Sequence, residues 1–331
     1  MPNLESSKIL KDIGGEAGCQ RIALEFYARV STSPELKPLF PGKSFRCATE
    51  EFAAFLIQFL DGEEDQAQYR WWLSLCESHS RFQISEQQRE VWLSLMTETI
   101  NSLITDSLTQ NGLNQFFEVA STYILGDERG EIEHQELKAR WSQQKELDQL
   151  IHTIISKRDS EAIELAAQFE SRTSVFVGIL ARMLESGREP LLEFVLTRVI
   201  RKRDLGAMPF NGRTLLHFAA GASCLPVVRQ ILQDGVNPDI LDSGKHTPLY
   251  RAASPEIVEE LVRHGATVNH CGGVTRSTAL HQAARFGNLA VAEALLVAGA
   301  SATATGKKGQ TPLDRARNCR RQEVVALLLT S

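Results

Sequence analysis

The sequence predicts an all-α chain in two parts that follow different rules. Between Cys19 and Leu125 apolar residues recur at helical spacing, and no segment alternates as a paired strand does. From Gly212 onward one short phrase returns four times at a nearly constant interval, the mark of a stacked repeat. At 331 residues the chain is also too long for one ordinary core, which suits a domain followed by an array.

The helices of the first part can be read in order. Ile22, Phe26 and Val30 share one face and carry Tyr27 beside them. The run from Ser33 to Lys43 holds Pro34, Pro38, Pro41 and Gly42 and predicts a turn-rich connection. Phe52, Phe55, Leu56, Phe59 and Leu60 form a second stripe. Trp92, Leu95, Met96, Ile100 and Leu103 form a third, opened by Ser85 with Gln88 in capping-box register. Phe116, Val119, Ala120, Tyr123 and Ile124 form a fourth. Residues 126–149 are strongly polar and predict a helical connector.

Composition narrows the function classes. Apolar residues make up 43% and charged residues 23%, as in a globular protein, and the net charge of -5 gives no general pull towards nucleic acid or anionic lipid. The six cysteines are scattered without a C-x-x-C pair, which fits reduced thiols better than a disulfide framework or a structural zinc site. Cys271 beside His270 lacks further ligands and reads as an ordinary loop. The first residues show no basic and then apolar signal, and the longest apolar run, Val175 to Leu184, is broken by Arg182. The expectation is a soluble, cytoplasmic protein that engages neither nucleic acid nor membrane.

The repeated phrases are GRTLLHFAA from Gly212, KHTPLYRAA from Lys245, RSTALHQAA from Arg276 and GQTPLDRAR from Gly309. Their threonines, Thr214, Thr247, Thr278 and Thr311, lie 33, 31 and 33 residues apart. The phrase and period resemble the ankyrin repeat. The shorter second spacing is expected to come from a shortened turn in RAASPEIVEE. Residues 150–205 carry the same helix–turn–helix outline without the phrase, as degenerate units at the end of a stack do. In such repeats Thr and His serve the fold: the hydroxyl caps a helix and the imidazole bonds neighbouring backbone, so His217 and His281 are structural. A recognition surface for a protein partner, not an active site, is implied.

His79 is the first histidine in the chain, and it stands 13 residues before Trp92 in SHSRFQISEQQREVWLSLM. With IGGEAG at Ile13, EFYARVSTSPELKPLFP at Glu25 and FLIQFLDG at Phe55, this stretch resembles the truncated haemoglobins of the second group. The resemblance covers roughly residues 10–125 and implies a two-over-two globin binding haem b. It makes His79 the proximal iron ligand, with Tyr27 and Trp92 as distal hydrogen-bond donors. It puts Phe40 near the haem edge, Phe26 behind Tyr27, Ala48 and Phe52 over the distal face, and Phe82 and Ile84 beneath the proximal face. Three positions depart from the family pattern. Phe52 replaces a residue that is commonly polar, Ser78 replaces an arginine that often pairs with a haem propionate, and FLDGEEDQAQ replaces a Gly-Gly-Pro turn. Arg70 and Arg81 are the nearest substitutes for that arginine. Trp71 and Trp72 are adjacent and so cannot share one helix face, and the run Glu63, Glu64 and Asp65 reads as a solvated loop.

The expected organisation is therefore a truncated globin over residues 1–126, a polar helical linker over 127–149 and an ankyrin solenoid over 150–331, recognisable from 210. The expected function is binding of O2, NO or CO, coupled to an unidentified protein partner in a sensing or regulatory role. The alternatives are a haem enzyme, acting as an NO dioxygenase or peroxidase, and a haem-free scaffold.

Overall fold

The computed structural model describes residues 7–40, 45–60, 73–80, 82–127 and 129–331. Pro41, Gly42, Arg70, Arg81, Trp71, Trp72 and the acidic loop from Asp61, all singled out above, lie outside these described residues. Packing divides the chain into two units, residues 1–152 and 153–331. Among the described residues no helix is long and apolar enough to cross a membrane.

The first unit contains α1 (Lys8–Asp12), α2 (Gly15–Val30), a 3-10 turn (Lys37–Leu39), α3 (Arg46–Phe59), α4 (Leu75–His79), α5 (Glu86–Leu103), α6 (Ser107–Ile124) and all but the last turn of α7 (Gln135–Ile155). Helix α2 packs on α3 and α5, and α5 packs on α6. The predicted stripes are what they bury: Phe26, Leu56, Leu60, Met96, Ile100 and Phe116 are almost fully excluded from water. Each such side chain is worth roughly 1.5–3 kcal/mol. Leu103 is the exception, since its stripe runs on to the exposed end of α5. Glycines make the α1–α2 corner possible. Gly14 takes φ +94°, and a Cβ on Gly18 would lie 2.0 Å from the Ile13 carbonyl oxygen. The Ser85–Gln88 capping box is present, with the Gln88 amide donating to Ser85 Oγ and the Ser85 amide to Gln88 Oε1.

Helix α7 begins inside the polar stretch, yet it is packed. Ile132, Leu137 and Trp141 belong to the core of the first unit, and the Trp141 ring meets Tyr123 and Phe116 edge-on at 5.1 and 5.9 Å. His134, just before the helix, lies against α6 where Gly112 leaves room: a Cβ there would come within 3.1 Å of the imidazole.

The second unit contains α8 (Asp159–Ala167), α9 (Thr173–Ser186), α10 (Glu189–Arg201), the short antiparallel strands β1 (Pro209–Phe210) and β2 (Arg213–Thr214), α11 (Leu215–Gly221), α12 (Leu225–Gln233), α13 (Pro248–Arg251), α14 (Pro255–Arg263), α15 (Ala279–Phe286), α16 (Leu289–Val297), α17 (Pro312–Asn318) and α18 (Gln322–Leu329). The first helix of each pair stacks on the next, from α9 through α11, α13 and α15 to α17. The second helices do the same from α10 to α18. The pair α9–α10, which lacks the repeated phrase, thus joins the stack, and α8 packs on α10 ahead of it. The short second repeat has a different cause from the one expected. Its first helix, α13, is only four residues long against seven or eight in the other three, while the connection to the next helix keeps its length.

The threonine–histidine phrase works as a paired cap. The Thr214 amide donates to His217 Nδ1 at 3.3 Å, so the proton sits on Nε2, which donates to the His246 carbonyl of the next repeat at 3.0 Å. His281 repeats this with Thr278 and the Gln310 carbonyl. In the last repeat Asp314 takes the imidazole's place and accepts from the Thr311 amide at 2.9 Å. In the second, Tyr250 stands there and stacks on His246 with ring centres 4.1 Å apart.

Candidate functional site

Helices α2 to α6 enclose a cavity of about 200 Å³ in the first unit. All nine residues singled out from the sequence line it. Phe26 and Tyr27 come from α2, Phe40 from the end of the 3-10 turn, and Ala48 and Phe52 from α3. His79 comes from α4, Phe82 and Ile84 from the segment after it, and Trp92 from α5. The wall is largely aromatic. Tyr27 meets Phe26, Phe40 and Phe52 at 5.2, 5.6 and 6.3 Å between ring centres, Trp92 meets Phe26 at 5.3 Å, and Phe82 lies 6.3 Å from the His79 ring.

His79 ends the short helix α4, and its own helix fixes its tautomer. Nδ1 lies 2.8 Å from the Leu75 carbonyl, which can only accept, so Nδ1 carries the proton. The lone pair then sits on Nε2, the nitrogen a metal takes, and the Nδ1–H···O=C bond makes that nitrogen a stronger donor. Ser78 adds to this. Its Oγ is 2.8 Å from Nδ1 and donates to the same Leu75 carbonyl at 2.8 Å. Ser78 is thus part of the imidazole's own support.

Tyr27 is a neutral donor at any physiological pH. Burial, reinforced by the negative charge of Glu51, pushes its hydroxyl well above the usual phenol range. Glu51 lines the cavity as well, as do Gln88, Arg89 and a wall of α6 that includes Phe117 and Ser121. None of these stands in a motif that marks it as a site residue. Gln88 and Arg89 precede Trp92 by four and three residues and so share its helix face, and of the two only Arg89 is a cation. Its side chain is 12% exposed, and Nη1 pairs with the exposed Glu86 at 3.0 Å. Its Nε is buried and has no hydrogen-bond partner among the described residues.

Among the described residues no group of three His, Cys, Asp or Glu could hold a metal ion. A metal at His79 would therefore have to bring its other ligands with it, as iron in a porphyrin does. The residues present fit such a group. There is one oriented imidazole, an aromatic slot for the macrocycle, and in the buried Nε of Arg89 a cationic donor suited to a propionate.

Residues 8–124 match the family model for bacterial-like globins, and residues 179–271 and 253–331 match the model for ankyrin repeats in three copies. The chain is a globin fused to ankyrin repeats. Among curated proteins part of the chain is similar to the putative E3 ubiquitin-protein ligase XBAT31 of Arabidopsis thaliana, at 33% identity over 138 residues, 37% of this chain and 30% of that protein. It is also similar to the human palmitoyltransferase ZDHHC13, at 28% over 213 residues, 53% of this chain and 34% of that protein. The human SH3 and multiple ankyrin repeat domains protein 2 matches at 36% over 107 residues, 31% of this chain and 6% of that protein. The chain spans about a third or less of the length of each of these three relatives. The globin match ends at the close of α6, so α7 lies between the two matched regions.

Proposed function

We propose that the globin binds haem b through His79 and holds a diatomic gas, O2, NO or CO, on the side bearing Tyr27 and Trp92. The ankyrin repeats supply the protein-interaction surface, and the fusion acts as a sensor or regulator. The observation that carries this is the state of His79, whose Nδ1–H is tied to the Leu75 carbonyl in an aromatic cavity shared with Tyr27 and Trp92. When bound, haem supplies an iron with an open position for the gas. The chain's own part is to hold that iron through Nε2, keep the cavity apolar and offer neutral donors opposite. Arg89 would take a propionate.

The first test is the visible spectrum of the purified protein, oxidised, reduced and reduced with CO. A Soret band with a five-coordinate histidine-ligated ferrous form is expected, and its absence from folded protein grown with ample haem would overturn the reading. Tyr27→Phe removes a buried hydroxyl donor, and hydrogen bonds to charged or strongly polar acceptors are worth about 1.5–3 kcal/mol. O2 is therefore expected to leave roughly 10–100 times faster, measured by displacement with CO.

Arg89→Ala should speed transfer of haem to an apo-globin acceptor by roughly tenfold or more. With haem dimethyl ester, which has no carboxylates, native and variant proteins should lose the group at equal rates. Unequal rates would place the arginine's effect elsewhere. The regulatory part requires that a partner captured by the repeats bind the gas-ligated and gas-free forms with different affinity; equal affinities would leave a globin with an uncoupled anchor.

A further inference from the structure

Helix α7 lies beyond the segment matched by the globin family, yet it presents a buried polar stripe to the end of α3 and the start of α4. Arg140, Gln144 and Asp148 are spaced by four and so share one helix face. All three are buried, at 9, 5 and 5% exposure. Arg140 donates to the Phe59 carbonyl at the end of α3, at 3.4 Å. Gln144 Nε2 donates to the Leu73 carbonyl at 2.9 Å. The Asp148 carboxylate faces the Ser74 hydroxyl, the Leu75 and Cys76 amides and the Tyr123 hydroxyl, although none of them meets it in full hydrogen-bond geometry. Burial outweighs these donors and pushes its carboxyl up to about 6. Apolar packing alone would have no need of such a group, and buried polar side chains are costly when incompletely satisfied.

What the stripe touches explains it. Residues 73–76 are the entry and first turn of α4, and the Leu75 carbonyl in that turn is the acceptor for His79 Nδ1–H. Helix α4 has only five residues, too few to hold its own geometry without outside support. We propose that Gln144 and Asp148 of α7 are positioning residues for His79, fixing residues 73–76 and, through the Leu75 carbonyl, the orientation and donor strength of the imidazole. This rests on haem ligation by His79. Because α7 is also the covalent connection towards the repeats, a change in this helix has a route to the iron that avoids the distal side.

The test uses the full-length ferrous protein and the iron–histidine stretching band in its resonance Raman spectrum. Gln144→Met keeps shape but removes the donor to Leu73, and Asp148→Ala removes the group facing the Leu75 and Cys76 amides. Both are expected to shift the band to lower frequency, because a looser Leu75 carbonyl weakens the bond to Nδ1–H. Asp148→Asn, which keeps an acceptor, should stay nearer the native band than Asp148→Ala. Amide exchange at Leu75 and Cys76 should quicken in Gln144→Met and Asp148→Ala.

Quickened exchange with an unmoved band would show that the stripe is structural only and overturn the proposal, as would a larger shift in Asp148→Asn than in Asp148→Ala. Should Asp148→Ala fail to fold, the near-isosteric Gln144→Met decides alone. A native protein without an iron–histidine band would overturn the haem reading, and this proposal with it. A native band that stays put in the variants would overturn only this one.

Discussion

His79→Gly protein, expressed with ample haem, is expected to lose the five-coordinate ferrous spectrum and to regain it when imidazole is added. The reasoning follows from the site. Removing an outer partner of a metal ligand typically weakens the metal roughly 10–100-fold, and removing the ligand itself should exceed that. His79 ends α4 with its ring in the cavity, so glycine leaves a space of imidazole's own shape, and free imidazole can occupy it. The fold should survive, because the helices of the first unit are held by Phe26, Leu56, Met96 and Phe116 rather than by His79. Spectra with and without imidazole, together with circular dichroism, check this. An unchanged ferrous spectrum in the variant would mean that another residue ligates iron.

Acidification should weaken the repeat unit by about 3 kcal/mol between pH 6.5 and pH 4 through His217 alone. Burial pushes the His217 imidazole down from 6.5 to about 4, while its bond to the His246 carbonyl works the other way. Unfolded, the imidazole takes up its proton near 6.5; folded, it does so only near 4. Between those values the unfolded chain binds more protons, so stability falls as pH falls, and the loss is complete below pH 4. His281 is lowered by burial too and adds in the same direction. Asp242 follows at still lower pH. Burial raises its carboxyl, but bonds from His246 and Arg251 outweigh this and hold it below the usual range.

Denaturant unfolding by circular dichroism at several pH values measures the effect. The tryptophans (Trp71, Trp72, Trp92 and Trp141) all precede the repeats, so their fluorescence separates the two units. His217→Gln should flatten the dependence; a slope identical to the native one would show that His217 does not carry it.

Much of the fold is legible in the residues alone. The four stripes of the first unit and the four phrases of the second are short-range patterns, set by a helix period and a repeat period, and a single sequence displays them in full. The nine site residues can be chosen because each sits at a definite position in an ordered motif, with His79 and Trp92 13 residues apart. The histidine caps of the repeats follow from the phrase that contains them.

Other features depend on which distant residues meet, and no local period encodes that. Gln144 reaches Leu73 across 71 positions of chain, and it does so because α7 lays its buried face on the first unit. Arg89 joins the site only because packing turns the start of α5 into a cavity wall and leaves its Nε buried. Ser78 reads as a missing arginine until its hydroxyl is placed beside His79 Nδ1 and the Leu75 carbonyl. The helices, the stack and the candidate site residues can be read from single residues and short periods, because they follow from local periodicity and side-chain chemistry. What supports His79 and what faces the cavity rim emerge with the packing, because burial and hydrogen bonding between remote segments depend on it.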